Sequence, residues 1–162
     1  MSLLAEKCPS FGRSCVALCV THLTEKLGDA KLKKPAGDAL TVFAEKTSLQ
    51  FVLNQGMSFY FTLCIGLHTL PAYDPLSKQK APKVLADALV WVNMAITEFG
   101  TAGLSLRTLI DFLKLALQNS NASVRSSATK VLVTLKLYAG SSEHYFRSRG
   151  FHDAVAVQTS KI

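Results

Sequence analysis

Lysine and arginine side chains on short rigid turns can hold an acidic surface, and this chain carries three such turns. They read Leu27-Gly28-Asp29-Ala30-Lys31-Leu32-Lys33-Lys34-Pro35, Ser77-Lys78-Gln79-Lys80-Ala81-Pro82-Lys83 and Asn119-Ser120-Asn121-Ala122-Ser123-Val124-Arg125. Each lies between apolar-periodic segments. With Lys31, Lys83 and Arg125 as markers, the steps between turns are 52 and 42 residues. Lys and Arg together outnumber Asp and Glu by 18 to 11, a net charge of +7, so the expected partner is acidic: a protein, nucleic acid or an anionic membrane. Nucleic acid is disfavoured, because no aromatic residues interleave with the basic turns to stack on bases.

Other chemistry finds no support in the residues. Cys15, Cys19 and His22 would share one helix face, which suggests a metal site. A closed zinc site wants four ligands and turn-borne Cys pairs, however, so small buried hydrophobes are the expected role of these cysteines, and no metal or other cofactor is expected. There is no Gly-rich phosphate loop, HExxH or Gly-x-Ser-x-Gly elbow. Asp29, Asp38, Asp87, Glu98 and Asp111 are scattered, and His22, His68, His144 and His152 share no spacing with them. An enzyme is not expected. Met1-Ser2-Leu3-Leu4 is followed closely by Glu6 and Lys7 rather than by a long apolar run, so a secretory leader is not expected and the four cysteines should stay reduced in the cytoplasm.

The segments between the turns read as helices. Val16, Cys19, Val20, Leu23 and Leu27 recur at three- and four-residue steps, predicting a helix over 14–27 closed by a left-handed cap at Gly28. Pro35 opens the next helix, which points Ala36, Ala39, Leu40 and Phe43 inward and ends near Thr47. The widest apolar stripe runs from Pro82 to Phe99, closed by Gly100 and Gly103. Ser105 caps a helix with Leu106, Leu109, Ile110, Leu113 and Leu117. Val124, Ala128, Val131, Leu132, Leu135 and Tyr138 line another, ending at Gly140. A unit of ~40–47 residues with two helices is the signature of HEAT-type repeats, whose turns emerge on one edge of a solenoid. The expected fold is all-α, a HEAT-repeat α-solenoid of antiparallel helix pairs, with most of residues 14–140 helical.

One stretch departs from the period. Between Thr47 and Tyr73 no charged residue occurs, and Phe59, Tyr60, Phe61 and Ile65 give it a strand-like composition. A membrane span would need ~20 predominantly apolar residues. The apolar core 57–70 is shorter than that and contains Gly66 and His68, so no membrane is expected. An irregular insertion at about 56–75 fits better and lengthens the first step between turns.

Four motifs together resemble a TOG domain. They are Leu27-Gly28-Asp29-Ala30-Lys31 with its Lys-Pro-Ala continuation, Ala81-Pro82-Lys83-Val84, the helix end Trp91-Val92-Asn93-Met94-Ala95-Ile96-Thr97-Glu98-Phe99-Gly100, and Asn121-Ala122-Ser123-Val124-Arg125. The resemblance is to the ch-TOG/Msps/Stu-type family of microtubule polymerases, over residues 12–55 and 76–140. It implies about three HEAT repeats of a TOG domain, with a tubulin heterodimer at the microtubule plus end as partner and a place in the cytoplasm on microtubules and the spindle pole. It also implies tubulin contacts at Lys31 in the third turn, Lys83 in the fourth and Arg125 in the fifth, the last two facing α-tubulin. The alternative is a general HEAT scaffold for another acidic protein.

Three departures from the family pattern are visible. Its first two repeats have no counterpart here, nor has its first-turn tryptophan; Trp91, inside a helix, is expected in the core. The insertion at 56–75 replaces a continuous helix. Residues 141–162 show no helical period and are expected to form a non-repeat tail beyond a partial domain at 12–140. A truncated or mis-spliced product would account for all three, and its terminal helices would expose apolar faces.

Overall fold

The computed structural model of the chain describes residues 2–8, 10–56 and 75–139, and every described element is an α-helix. In chain order they are α1 (Ser2–Lys7), α2 (Arg13–Lys26), α3 (Lys33–Lys46), α4 (residues 49–56), α5 (Pro75–Phe99), α6 (Leu106–Leu117) and α7 (Ala122–Ala139). The expected insertion, apart from its ends at Gly56 and Pro75, and the expected tail lie outside the described residues. So does the thiol of Cys64.

The helices form two layers. α2 and α3 form a hairpin, as do α6 and α7. α4 lies beside α2, where Gly56 approaches Val20 and Thr24, and reaches α6, where the Gln50 side chain accepts the Ser105 N–H. The opposite layer is α3, α5 and α7, with α5 packed on both of the others. The core between the layers is aliphatic, built from Val16, Val20, Leu40, Val52, Leu89, Ile96, Leu113, Leu132 and Leu135, with Phe43 on the α3 side. Burying each such side chain is worth ~1.5–3 kcal/mol, so the apolar stripes dictate how the helices face.

The layer α3–α5–α7 has a fixed register. Lys33 Nζ meets Asp87 Oδ1 at 2.6 Å and the Trp91 Nε1–H donates to the Gly37 carbonyl at 3.2 Å, both across 54 residues. On the other side of α5, the Thr134 hydroxyl donates to Asn93 Oδ1 at 2.6 Å and the Tyr138 hydroxyl to the Thr97 carbonyl at 3.2 Å, both across 41 residues. Constant offsets mean that the three helices run parallel, as second helices of consecutive repeats do. Trp91 is 6% exposed, a core residue as expected.

Several boundaries differ from expectation. α5 begins at Pro75 and passes through Pro82, so the second basic turn is not a turn. Proline fixes φ in the helical range and removes one hydrogen bond, a loss that packing along the rest of this long helix outweighs. Gly28 is not a left-handed cap: among the described residues only Gly100 and Gly103 have positive φ, at 73° and 75°, and these do close α5 and shape the loop after it. Ser105 stands at the start of α6 without capping it, its hydroxyl paired instead with that of Thr108 at 3.0 Å. Pro35 sits third in α3 rather than first, still within the turn whose N–H groups have no helical acceptor. α1 was not anticipated; it packs on α3 and buries Ala5.

Candidate functional site

The register places the three cations on one edge. The Lys83 ammonium lies near enough to Asp29 to act on its carboxyl, and an offset of 41 sets Val124 level with Lys83. The α2–α3 turn touches α5 at this level, since Gly28 abuts Val84. Lys31, Lys83 and Arg125 are all exposed there, on the turn 27–32, on α5 and in the first turn of α7 respectively. Adjacent packed helices stand about 8–10 Å apart, so Lys83 and Arg125 sit at nearly the same level on helix axes about that far apart.

Side chains near each cation shape its turn. In the first, Asp29 Oδ1 accepts the backbone N–H of Lys31 at 2.8 Å and of Leu32 at 3.3 Å, an Asx-type turn that leads into α3. Those two bonds hold the Asp29 carboxyl below its ordinary value, and the nearby Lys26 and Lys83 ammonium groups add to the effect. In the last, Asn119 Oδ1 accepts the Asn121 N–H and Asn121 Oδ1 accepts the Ser123 N–H, each at 2.9 Å, the latter a side-chain cap for α7.

Arg125 closes that turn. Its Nη1 donates to the carbonyl of Asn119 at 2.9 Å and of Ser120 at 2.7 Å. The guanidinium is therefore no freely waving surface charge, although Arg carries five N–H donors and these contacts engage one nitrogen. Lys33, within the first basic turn as read from the sequence, is bound to Asp87, whereas Lys31 and Lys34 are exposed. Asp29, Asn119 and Asn121 were overlooked as turn-formers, yet their signal was present: Asx residues two positions before the amides they hold.

The remaining sequence candidates are dispersed. Cys15 and Cys19 are half-buried and His22 is exposed on α2. Among the described residues, no group of three or more His, Cys, Asp or Glu side chains is placed to hold a metal ion. Among them too, no helix is long and apolar enough to cross a membrane.

Comparison with known proteins identifies the family and the fold. The family model described as the XMAP215/Dis1/CLASP TOG domain matches residues 68–158. Protein mini spindles of Drosophila melanogaster is 37% identical over 125 residues, 77% of this chain and 5% of that protein. Protein MOR1 of Arabidopsis thaliana is 30% identical over 141 residues, 86% of this chain and 6% of that protein. The solved structure of Drosophila melanogaster Mini spindles TOG3 superposes with a TM-score of 0.74 at 32% identity, over 96% of this chain and 60% of that one. The chain thus spans a small fraction of the length of its curated relatives. It belongs to the XMAP215/Dis1/CLASP TOG-domain family, and its all-helical HEAT-type fold is that of its relatives.

Proposed function

We propose that this member of the XMAP215/Dis1/CLASP TOG-domain family is a tubulin-binding module, acting by docking rather than catalysis. Its partner is the tubulin heterodimer at microtubule ends, which places it in the cytoplasm with microtubules and the spindle. Lys31, Lys83 and Arg125 supply the contacts, with residues 12–140 as the working unit. The observation that carries the reading is the common edge of these three cations, Lys31 on the α2–α3 turn that abuts α5, and Lys83 and Arg125 on the parallel, register-locked helices α5 and α7. Tubulin is strongly acidic, and cations fixed on rigid elements steer and hold such a surface with little ordering left to do on contact. The Arg125 guanidinium, braced by two carbonyls, needs no further ordering before it meets a carboxylate.

Titrating labelled tubulin and duplex DNA side by side at two salt concentrations tests this. Tubulin should bind tightly at low salt and more weakly at high salt, with DNA markedly weaker at both. Preference for DNA, or for unrelated acidic proteins to the same extent as tubulin, would replace the reading with a nucleic-acid binder or a general acidic-partner scaffold.

A further inference from the structure

We propose that Gly28 is a positioning residue of the basic edge: lacking a side chain, it lets the α2–α3 turn seat against Val84 and so sets how close Lys31 stands to Lys83. The consequence for affinity rests on the tubulin-binding reading; the contact is a property of the chain alone. Gly28 has no positive φ, so backbone conformation does not call for glycine there. Space does. A Cβ at Gly28 would collide with Val84 Cγ2 and stand 3.2 Å from the Val84 Cα and 3.3 Å from its Cβ.

Val84 cannot easily yield. It is β-branched and mid-helix, which leaves one strongly preferred χ1 rotamer. Its Cα belongs to α5, which is locked to α3 by the Lys33–Asp87 pair and the Trp91–Gly37 hydrogen bond. The turn would therefore have to move, carrying Asp29 and the Lys31 amide it holds away from Lys83. Other glycines lack this constraint: at Gly12 the nearest atom to an added Cβ is 4.0 Å away, and at Gly37 it is 3.4 Å away, ordinary contact distances. The spacing of the two lysines thus depends on one missing methyl group.

The test is a steric-rescue cycle with the whole chain: wild type, Gly28→Ala, Val84→Ala and Gly28→Ala/Val84→Ala. Denaturant midpoints read the contact, and tubulin titrations, at a temperature where circular dichroism shows all four folded, read its consequence. Gly28→Ala should lower the midpoint and weaken tubulin binding by about five- to tenfold, a value inside the span of couplings between residues in contact. Val84→Ala alone should leave tubulin binding near wild type. The double variant should regain most of both losses, because removing Cγ2 opens the space that the new methyl needs. A Gly28→Ala midpoint equal to wild type, or a double variant worse than the sum of the singles, would overturn the contact. A lowered and rescued midpoint with unchanged tubulin binding would overturn the positioning role. If the wild-type chain does not bind tubulin, the tubulin reading and the affinity consequence both fall, while the midpoints still decide the contact.

Discussion

Asp29 is exposed, yet its carboxyl is held below the ordinary 3.8, chiefly by the Lys31 and Leu32 amides that donate to it. A folded value below the unfolded one means that the stabilisation is complete above about pH 4 and is lost as pH falls through the folded value. The amide proton shifts of Lys31 and Leu32 should therefore titrate together in acid, with a midpoint below 3.8. Asp29→Asn keeps an oxygen acceptor without the titration and should abolish that response. Persistence of the shift change in Asp29→Asn would assign it to another group. At the other turn, Arg125→Lys preserves the charge but loses the rigid guanidinium whose Nη1 bridges the Asn119 and Ser120 carbonyls. It should destabilise the chain by about 0.5–1.5 kcal/mol, the net value of a modest hydrogen-bonded contact, as read from denaturant midpoints. An unchanged midpoint would mean that the two carbonyl contacts contribute nothing to the fold.

At the scale of elements, hydrogen bonds on both sides of α5 hold the parallel register. Trp91→Phe should cost about 1 kcal/mol, since the indole donor is lost while the Thr41 hydroxyl still serves the Gly37 carbonyl at 3.1 Å. Trp91→Ala should cost about 3–5 kcal/mol by opening a cavity. Comparable melting of the two variants would show that Trp91 matters as a donor rather than as volume. Most helices were legible in the residues, because Leu109, Ile110, Leu113 and Ala116 on α6, or Val131, Leu132 and Leu135 on α7, can be buried together only on a 3.6-residue period. The start of α5 was not legible. Lys78, Lys80 and Pro82 carry turn composition, yet the helix runs through them. α1 escaped notice for the opposite reason: six residues are too few to establish a period. The purpose of Gly28 was hidden as well, since a glycine after a helix signals a left-handed cap and nothing local reveals Val84 across the interface.

Across the whole molecule, the marker spacing of the three cations in the sequence lies near the offsets of the packed helices, 54 between α3 and α5 and 41 between α5 and α7, although the second basic segment is helix rather than turn. Which cations remain available does not follow from that spacing. Lys33 is drawn into an interhelical pair with Asp87 that only the packed layers create, whereas Arg125, braced by two carbonyls of its own turn through one nitrogen, stays exposed. Tubulin binding through this edge is decided by an equilibrium titration of the heterodimer against wild type, Lys31→Glu, Lys83→Glu, Arg125→Glu and, as a control on the opposite layer, Arg107→Glu. Arg125→Glu should weaken binding by about 1.5–3 kcal/mol, Lys83→Glu somewhat less and Lys31→Glu least, with Arg107→Glu near wild type. Equal affinity across all five proteins, or loss confined to Arg107→Glu, would contradict the assignment of this edge.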